Sequence, residues 1–203
     1  MGLVASLNRP GANLTGIANL GAELAPKRLQ LLHQLIPNAA VFGVLVDPAF
    51  PPAPSIITDL QAAARALGLQ LFIVNASTDR DLEPAFATFS QQLVGAVLVS
   101  DSTFYTRRTE QLAALAAHHA LPAMFPFREF APAGGLISYG GSLGYQSHQE
   151  GIYAGRLLKG EKPADLPVQQ ITKIDLVINL KTAKALGLTI PETLLATADE
   201  VIQ

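Results

Sequence analysis

The sequence contains no cysteine, so disulfide bonds, thiolate nucleophiles and cysteine-based metal sites are excluded. It also has little net charge, −2 at neutral pH, with an isoelectric point near 6.1. Nucleic acids and anionic membranes bind proteins largely through clustered Lys and Arg, so neither is expected as a partner. The apolar runs are far shorter than the ~20 residues of a membrane-spanning helix. What remains is a chain of 203 residues with 49% hydrophobic content, enough for one large domain or two small lobes.

From Val41 onward the sequence alternates between strand and helix patterns. The strand segments are continuous apolar runs without polar alternation, which is typical of parallel strands buried on both faces. The predicted strands are Val41–Val46, Leu71–Asn75, Ala96–Ser100 and Ala123–Phe125. Three consecutive strand–helix units with short links predict the α/β class, with a doubly wound parallel sheet and helices on both faces.

Helical patterns separate and follow these strands. "SIITDLQAAARALG" ends at Gly68, the residue type expected just past a helix C-terminus. "TRRTEQLAALAAHHA" predicts one continuous helix after the third strand, and a further helix is expected from Leu143 to Lys159. The remaining elements are a strand at "DLVINL", a short helix at "KTAKALG" and a last helix after Pro191.

Small polar and aromatic residues cluster where the predicted strands end. In an open parallel sheet, ligands bind beyond the carboxyl ends of the strands, where helix N-termini offer free amides. The candidate residues at this edge are Asp47, Phe50, Asp101, Ser102, Thr103, Phe104 and Phe127. Taken singly, Asp47 and Ser102 fit helix caps, and Phe50 and Phe104 fit core residues. Taken together, they favour a small ligand site with aromatic walls and hydrogen-bonding ends.

No arrangement of residues indicates catalysis or a cofactor. The chain has no nucleophile elbow, phosphate-binding loop, dinucleotide-binding glycine motif or H-E-x-x-H motif, so an enzyme is not expected. His118 and His119 lie late in a predicted helix, where adjacent side chains diverge, so a shared metal ion is not expected. His33 and His148 are lone helical histidines.

Four segments together resemble one protein family. They are "SLNRPGANLTGIANLGAELAPKRLQLLHQLIPNA", "FREFAPAGGLISYGGSLGYQ", "GRLLKGEKPADLPVQQ" and "DLVINLKTAKALGLTIPETLLATADEVI". They are similar to the substrate-binding components of bacterial ABC transporters, in the branch associated with tryptophan, tyrosine or other amino-acid-like ligands. The resemblance implies a type I periplasmic binding protein fold, in which two doubly wound lobes clamp a ligand in an interlobe cleft.

The resemblance also implies a division of the chain. Family members usually carry a signal peptide and a long first-lobe segment before "SLNRPGANLTG", and this sequence begins near that point. Residues 1–20 are then a remnant with the first crossover, 21–134 are the ligand-binding second lobe, and 135–203 are a crossover, a first-lobe helix and a C-terminal return. Tyr139, in "SYGG", is implied to border the cleft. Surface that the first lobe would cover is expected to mediate a homodimer.

The expected function is binding of a small amino-acid-like or aromatic ligand for an ABC transporter permease. The resemblance implies a periplasmic location, whereas the N-terminus lacks the basic start and apolar core of a secretory signal, which predicts a cytoplasmic protein if Met1 is the native start. The missing signal favours a cytoplasmic ligand-sensing or regulatory domain of the same fold, but the absence of a DNA-binding segment disfavours it. A doubly wound enzyme is the third alternative, and no motif supports it.

Overall fold

A computed structural model describes residues 3–203, which form two compact units. The larger unit comprises residues 21–140 and 175–203, and the smaller comprises the residues up to Leu20 together with 141–174. The strands are β1 (Ile17–Asn19), β2 (Val41–Val46), β3 (Gln70–Asn75), β4 (Ala96–Val99), β5 (Ala123–Phe125), β6 (Ile137–Gly140), β7 (Gln169–Ile171), β8 (Asp175–Asn179) and β9 (Glu200–Ile202). The α-helices are α1 (Ala25–Leu35), α2 (Ala53–Leu67), α3 (Asp79–Gln91), α4 (Thr103–Thr106), α5 (Thr109–His118), α6 (Leu143–Leu158), α7 (Leu180–Ala185) and α8 (Glu192–Thr197).

The larger unit is built on a seven-stranded sheet with the order β3-β2-β4-β5-β6-β8-β9. All neighbouring strands are parallel except β6 and β8, which pair antiparallel. The prediction of an α/β fold with a mostly parallel sheet is confirmed, and all four predicted strands are present and parallel. The sequence pattern did not predict β9, which is three residues long and only partly buried.

Helices cover both faces of this sheet. Val44 in β2 belongs to a core cluster with apolar residues of α1, α2 and α8, such as Leu29 and Leu60. The next residue along the strand, Gly43, faces the opposite way, because successive strand residues alternate between faces. A side chain at Gly43 would meet the ring of Phe89 in α3, so α3 lies on the second face. The predicted doubly wound arrangement is therefore confirmed.

Several helix boundaries differ from the sequence-based predictions, and one difference is large. The helix predicted from Thr106 begins at Thr109 and is preceded by the separate four-residue helix α4. The break occurs at Arg108, whose φ of −130° and ψ of 31° leave the helical region. Its guanidinium turns back to donate to the Phe104 carbonyl at 3.0 Å and to the Asp79 carboxylate. The remaining differences are of one or two residues; for example, α6 ends at Leu158 rather than Lys159.

The smaller unit contains a two-stranded parallel sheet, β1 with β7, and the helix α6. The Tyr153 hydroxyl donates to the Pro167 carbonyl at 2.8 Å, which ties α6 to the segment before β7. Six of the seven large apolar side chains that are exposed belong to this unit; they are Leu3, Leu7, Leu14, Tyr145, Ile152 and Leu158. The seventh is Leu93.

Among the described residues, no helix is both long enough and apolar enough to span a bilayer.

Candidate functional site

The carboxyl ends of β2, β4, β5 and β6 meet at one edge of the large sheet, because these strands are parallel neighbours. Asp47 directly follows β2, and Asp101 and Ser102 come just after β4. The structure brings the side chains of Asp47 and Ser102 together, although they are 55 positions apart in the sequence. The Ser102 hydroxyl donates a hydrogen bond of 2.6 Å to Oδ2 of Asp47.

The Asp47–Ser102 pair is nearly buried, with exposures of 5% and 3%. Oδ1 of Asp47 accepts from the Ala49 amide at 3.0 Å, and Oγ of Ser102 accepts from the Phe104 amide at 3.0 Å, which caps α4. The capping interpretation of Ser102 is therefore correct. Asp47 instead stabilises the turn after β2, and no ion pair among residues 3–203 includes it.

The negative charge of Asp47 affects the pKa of the neighbouring Tyr105. Burial raises the pKa of the Tyr105 phenol far above its ordinary value, and the negative charges of Asp47 and Asp81 raise that pKa further. The phenol is therefore neutral and donates to the Ala76 carbonyl at 2.8 Å. Within residues 3–203, the hydrogen bonds of the buried Asp47 carboxylate are those from the Ser102 hydroxyl and the Ala49 amide.

The predicted aromatic residues occupy different surroundings. Phe50 is half-buried and packs against the core cluster between the sheet and the helices α1 and α2, as does Tyr139. Phe104 is also half-buried, but it contacts the Tyr105 ring, with the Arg108 guanidinium 3.8 Å from its own ring centre. Phe127 is 5% exposed. Of these four, Phe50 and Phe104 are the half-buried residues nearest in sequence to the Asp47–Ser102 pair. Thr103, between Ser102 and Phe104, is exposed.

Arg28 is a central residue of this edge that the sequence-based predictions missed. It lies in α1 and is fully buried. Its Nη1 donates to Oδ2 of Asp101 at 2.5 Å and to the Gly21 carbonyl at 3.0 Å. Its Nε donates to the Tyr139 carbonyl at 2.7 Å, and its Nη2 donates to the Pro126 carbonyl at 3.2 Å. One guanidinium thus joins α1 to the ends of β4, β5 and β6.

The burial of Arg28 could have been predicted from its position in the sequence of α1. Leu32 and Leu35 follow Arg28 by four and seven positions, so all three lie on one stripe of α1. An arginine within the apolar stripe of a helix requires buried acceptors. The pattern therefore points to a buried arginine, although the partner Asp101, 73 positions away, could not be named from sequence.

A second ion-pair group lies at the same edge and was also not predicted. Arg128, just past β5, donates to Oδ2 of Asp175 at 2.6 Å and also pairs with Glu200. Asp175 begins β8 opposite Gly140, the last residue of β6. The antiparallel register of β8 therefore places this carboxylate beside the carboxyl ends of the parallel strands.

The expectation that the side chains of His118 and His119 diverge is wrong. Their ring centres lie 5.0 Å apart in an edge-to-face arrangement. The reason is that α5 ends at His118, and His119 is held outside the helix by contacts with Ser90 and Glu83.

Arg28→Met should destabilise the larger unit by about 3–5 kcal/mol, because it leaves the Asp101 carboxylate buried without its cation. Urea unfolding followed by circular dichroism measures the change. Arg156→Met is the matched control, since Arg156 pairs with Glu161 on the exposed surface of α6, where an ion pair contributes little. Equal stability of the Arg28 variant and the wild type would show that the guanidinium does not organise this edge.

The comparisons with known proteins agree with this architecture. Residues 1–202 match the family described as ABC transporter substrate binding protein. The chain is 22% identical over 187 residues to a tyrosine-binding protein of Clostridioides difficile, covering 92% of this chain and 53% of that protein. It therefore spans about half the length of this curated relative.

Two solved structures share the fold closely. A conserved domain protein from Vibrio cholerae O1 biovar El Tor superposes with a TM-score of 0.85 at 27% identity, covering 98% of this chain and 66% of that chain. An ABC domain from Streptococcus pneumonia in complex with L-Trp has a TM-score of 0.82 at 26% identity, with coverages of 98% and 68%. The resemblance seen in the sequence is thereby confirmed, and the protein belongs to the family of ABC transporter substrate-binding proteins.

Proposed function

We propose that this protein binds an aromatic L-amino acid, with the ligand ammonium group on Asp47 at the carboxyl edge of the large sheet. The observation that carries the proposal is the buried Asp47 carboxylate, which has no cationic partner among the described residues. The larger unit would then act as the ligand-binding lobe. The ligand is bound and released without chemical change, as the membership of a binding-protein family supports.

The electrostatics of the edge favour a cationic group at Asp47. A carboxylate has about four acceptor sites, and the Ser102 hydroxyl and the Ala49 amide use two of them. A buried charge without compensation is unfavourable, and a ligand ammonium group would supply both the opposite charge and further hydrogen bonds. The other two buried aspartates of this edge, Asp101 and Asp175, already have arginine partners. Of these three aspartates, Asp47 is the one without a cationic partner among residues 3–203.

The neighbouring aromatic residues fit the side chain of such a ligand. Phe50 lies three positions after Asp47, and Phe104 lies two positions after Ser102, and both rings are half-buried. The Arg108 guanidinium lies 3.8 Å from the centre of the Phe104 ring, so an indole or phenol ring would stack on the opposite face of Phe104 or on Phe50. The names of two relatives agree, since one is a tyrosine-binding protein and the other is in complex with L-Trp.

The family supports a place for the protein in transport. Substrate-binding proteins of this kind are usually extracellular or periplasmic, and we propose an ABC transporter permease as the partner that receives the ligand. The alternative of a cytoplasmic sensing domain is not favoured, because the family match extends over residues 1–202.

We further propose that two copies associate through the smaller unit. Leu158 is 89% exposed, and Ile152 and Tyr145 on the same helix are 43% and 39% exposed. Apolar surface left in water is unfavourable by roughly 25 cal/mol per Å², and concentrated apolar surface commonly marks an interface. A two-fold dimer would cover such surface on both copies.

Asp47→Asn should weaken binding of L-Trp and L-Tyr by about tenfold or more, since a hydrogen bond to a charged group contributes roughly 1.5–3 kcal/mol. Isothermal titration calorimetry with the purified chain measures this affinity. Indole-3-propionate, which lacks the ammonium group, should bind more weakly than L-Trp to the wild type and should lose little further affinity in Asp47→Asn.

Asp59→Asn, an exposed change of the same kind in α2, serves as the control and should leave the affinity unchanged. Equal loss of L-Trp and indole-3-propionate binding in Asp47→Asn would contradict recognition of the ammonium group. Absence of any measurable L-Trp or L-Tyr binding to the wild type would contradict the proposed ligand class.

Leu158→Glu combined with Ile152→Glu should convert a dimer to a monomer of 21.4 kDa. Size-exclusion chromatography with light scattering over a range of concentrations measures the mass. Leu93→Glu changes the one large exposed apolar side chain of the larger unit, which is 86% exposed, and should leave the dimer intact. A wild-type mass near 21 kDa at all concentrations would exclude the dimer.

A further inference from the structure

Glu83, His118 and His119 form a cluster of metal-ligand side chains on the layer of α3 and α5. Each offers one ligand atom, and these three atoms lie within 4.8 Å of one another. Among residues 3–203, it is the one group of three or more His, Asp or Glu side chains with this spacing. Glu83 and His118 are exposed, and His119 is half-buried, so the cluster is open to an ion from solvent.

His119 is fixed in an orientation that suits metal binding. Its Nδ1 lies 3.3 Å from the Ser90 hydroxyl, and its Nε2 lies 2.9 Å from Oε1 of Glu83. Its ring also stacks on the Phe86 ring, at a centroid distance of 6.3 Å and an angle of 28°. A partner on one ring nitrogen selects the tautomer that leaves the other nitrogen as a metal ligand. In the metal-free protein Nε2–H donates to Glu83, and the Ser90 hydroxyl donates to Nδ1. When a metal ion replaces the Nε2 proton, the same hydroxyl can accept from Nδ1–H and so hold the ring with Nε2 on the metal.

From this geometry we infer a divalent transition-metal site with Glu83, His118 and His119 as ligands, and Zn²⁺ as the ion that fits them. Two imidazoles with one carboxylate are a common zinc ligand set, with water in the fourth position. Nitrogen ligands favour such ions over Mg²⁺ and Ca²⁺, which prefer oxygen. Zinc bonds of about 2.0–2.1 Å place two ligand atoms of a tetrahedral site about 3.3 Å apart. The 2.9 Å between Glu83 and His119 therefore needs to widen by only a few tenths of an ångström.

The metal site is separate from the proposed amino-acid site. Helices that connect parallel strands run back along the sheet, so the C-terminal end of α5 lies towards the amino ends of the strands, whereas Asp47 lies at their carboxyl ends. The ion would join α3 to the end of α5, and any ion that binds only the folded state stabilises it. Metal binding is thus expected to raise the melting temperature without requiring the amino acid.

The test is calorimetric titration of the untagged, chelator-treated chain with ZnCl₂, together with thermal unfolding. The expected result is one equivalent of Zn²⁺ bound with a micromolar dissociation constant, a higher melting temperature and no binding of Mg²⁺. His118→Ala and Glu83→Gln change exposed ligands and should each weaken the affinity by about tenfold or more. Ser90→Ala should weaken it by about tenfold through the orientation of His119.

His148→Ala is the matched control, because His148 is an exposed histidine of α6. It should leave zinc affinity and the zinc-dependent melting shift unchanged. The proposal is overturned if the wild type shows no saturable uptake at millimolar Zn²⁺, or if His118→Ala and Glu83→Gln bind zinc as tightly as the wild type. Circular dichroism of each variant without metal verifies that a lost affinity does not come from a lost fold.

Discussion

The buried guanidinium of Arg28 is the interaction on which the arrangement of the site edge depends. Taking an arginine and an aspartate out of water is unfavourable by several kcal/mol per ion, and good geometry with further hydrogen bonds is needed to offset it. Arg28 meets this condition with one carboxylate and three carbonyls. Because its partners come from three strand ends, the loops after those strands cannot move independently of α1.

The same contacts determine which charges remain available to a ligand. Asp101 is neutralised by Arg28, and Asp175 is neutralised by Arg128. Asp47 is held in place by neutral donors and has no cationic partner in the part of the chain that the structure describes. Fixed polar groups lose little entropy when a ligand binds, and such pre-organisation contributes to affinity. The edge therefore combines rigid support with one unmatched negative charge, which suits an ammonium group.

The sequence predicted the sheet well because its central strands are buried on both faces. In β2 and β4 this burial goes with an uninterrupted apolar run, which is typical of a parallel strand covered on both faces. The rule that parallel strand ends share one edge also brought Asp47 and Ser102 together correctly. The short edge strand β9 lacks such a run, so its sequence did not predict a strand.

The other missed features depend on contacts between distant residues. The guanidinium of Arg108 interrupts the helix predicted after β4 by turning to Asp79 on α3. His119 leaves the helical path through contacts with Ser90 and Glu83. Periodicity along the chain carries no information about such partners, although a charged residue within an apolar helix stripe, as at Arg28, indicates that one exists.

The most direct test of the central claim is to map the ligand onto the larger unit by nuclear magnetic resonance. Titration of the ¹⁵N-labelled chain with L-Trp should shift most strongly the amides of Ala49 and Phe104, because these amides donate to Asp47 and Ser102. Shifts that centre instead on the groove between α1 and α2, at Lys27, Ala63 and Leu67, would contradict a binding site at the carboxyl edge of the sheet.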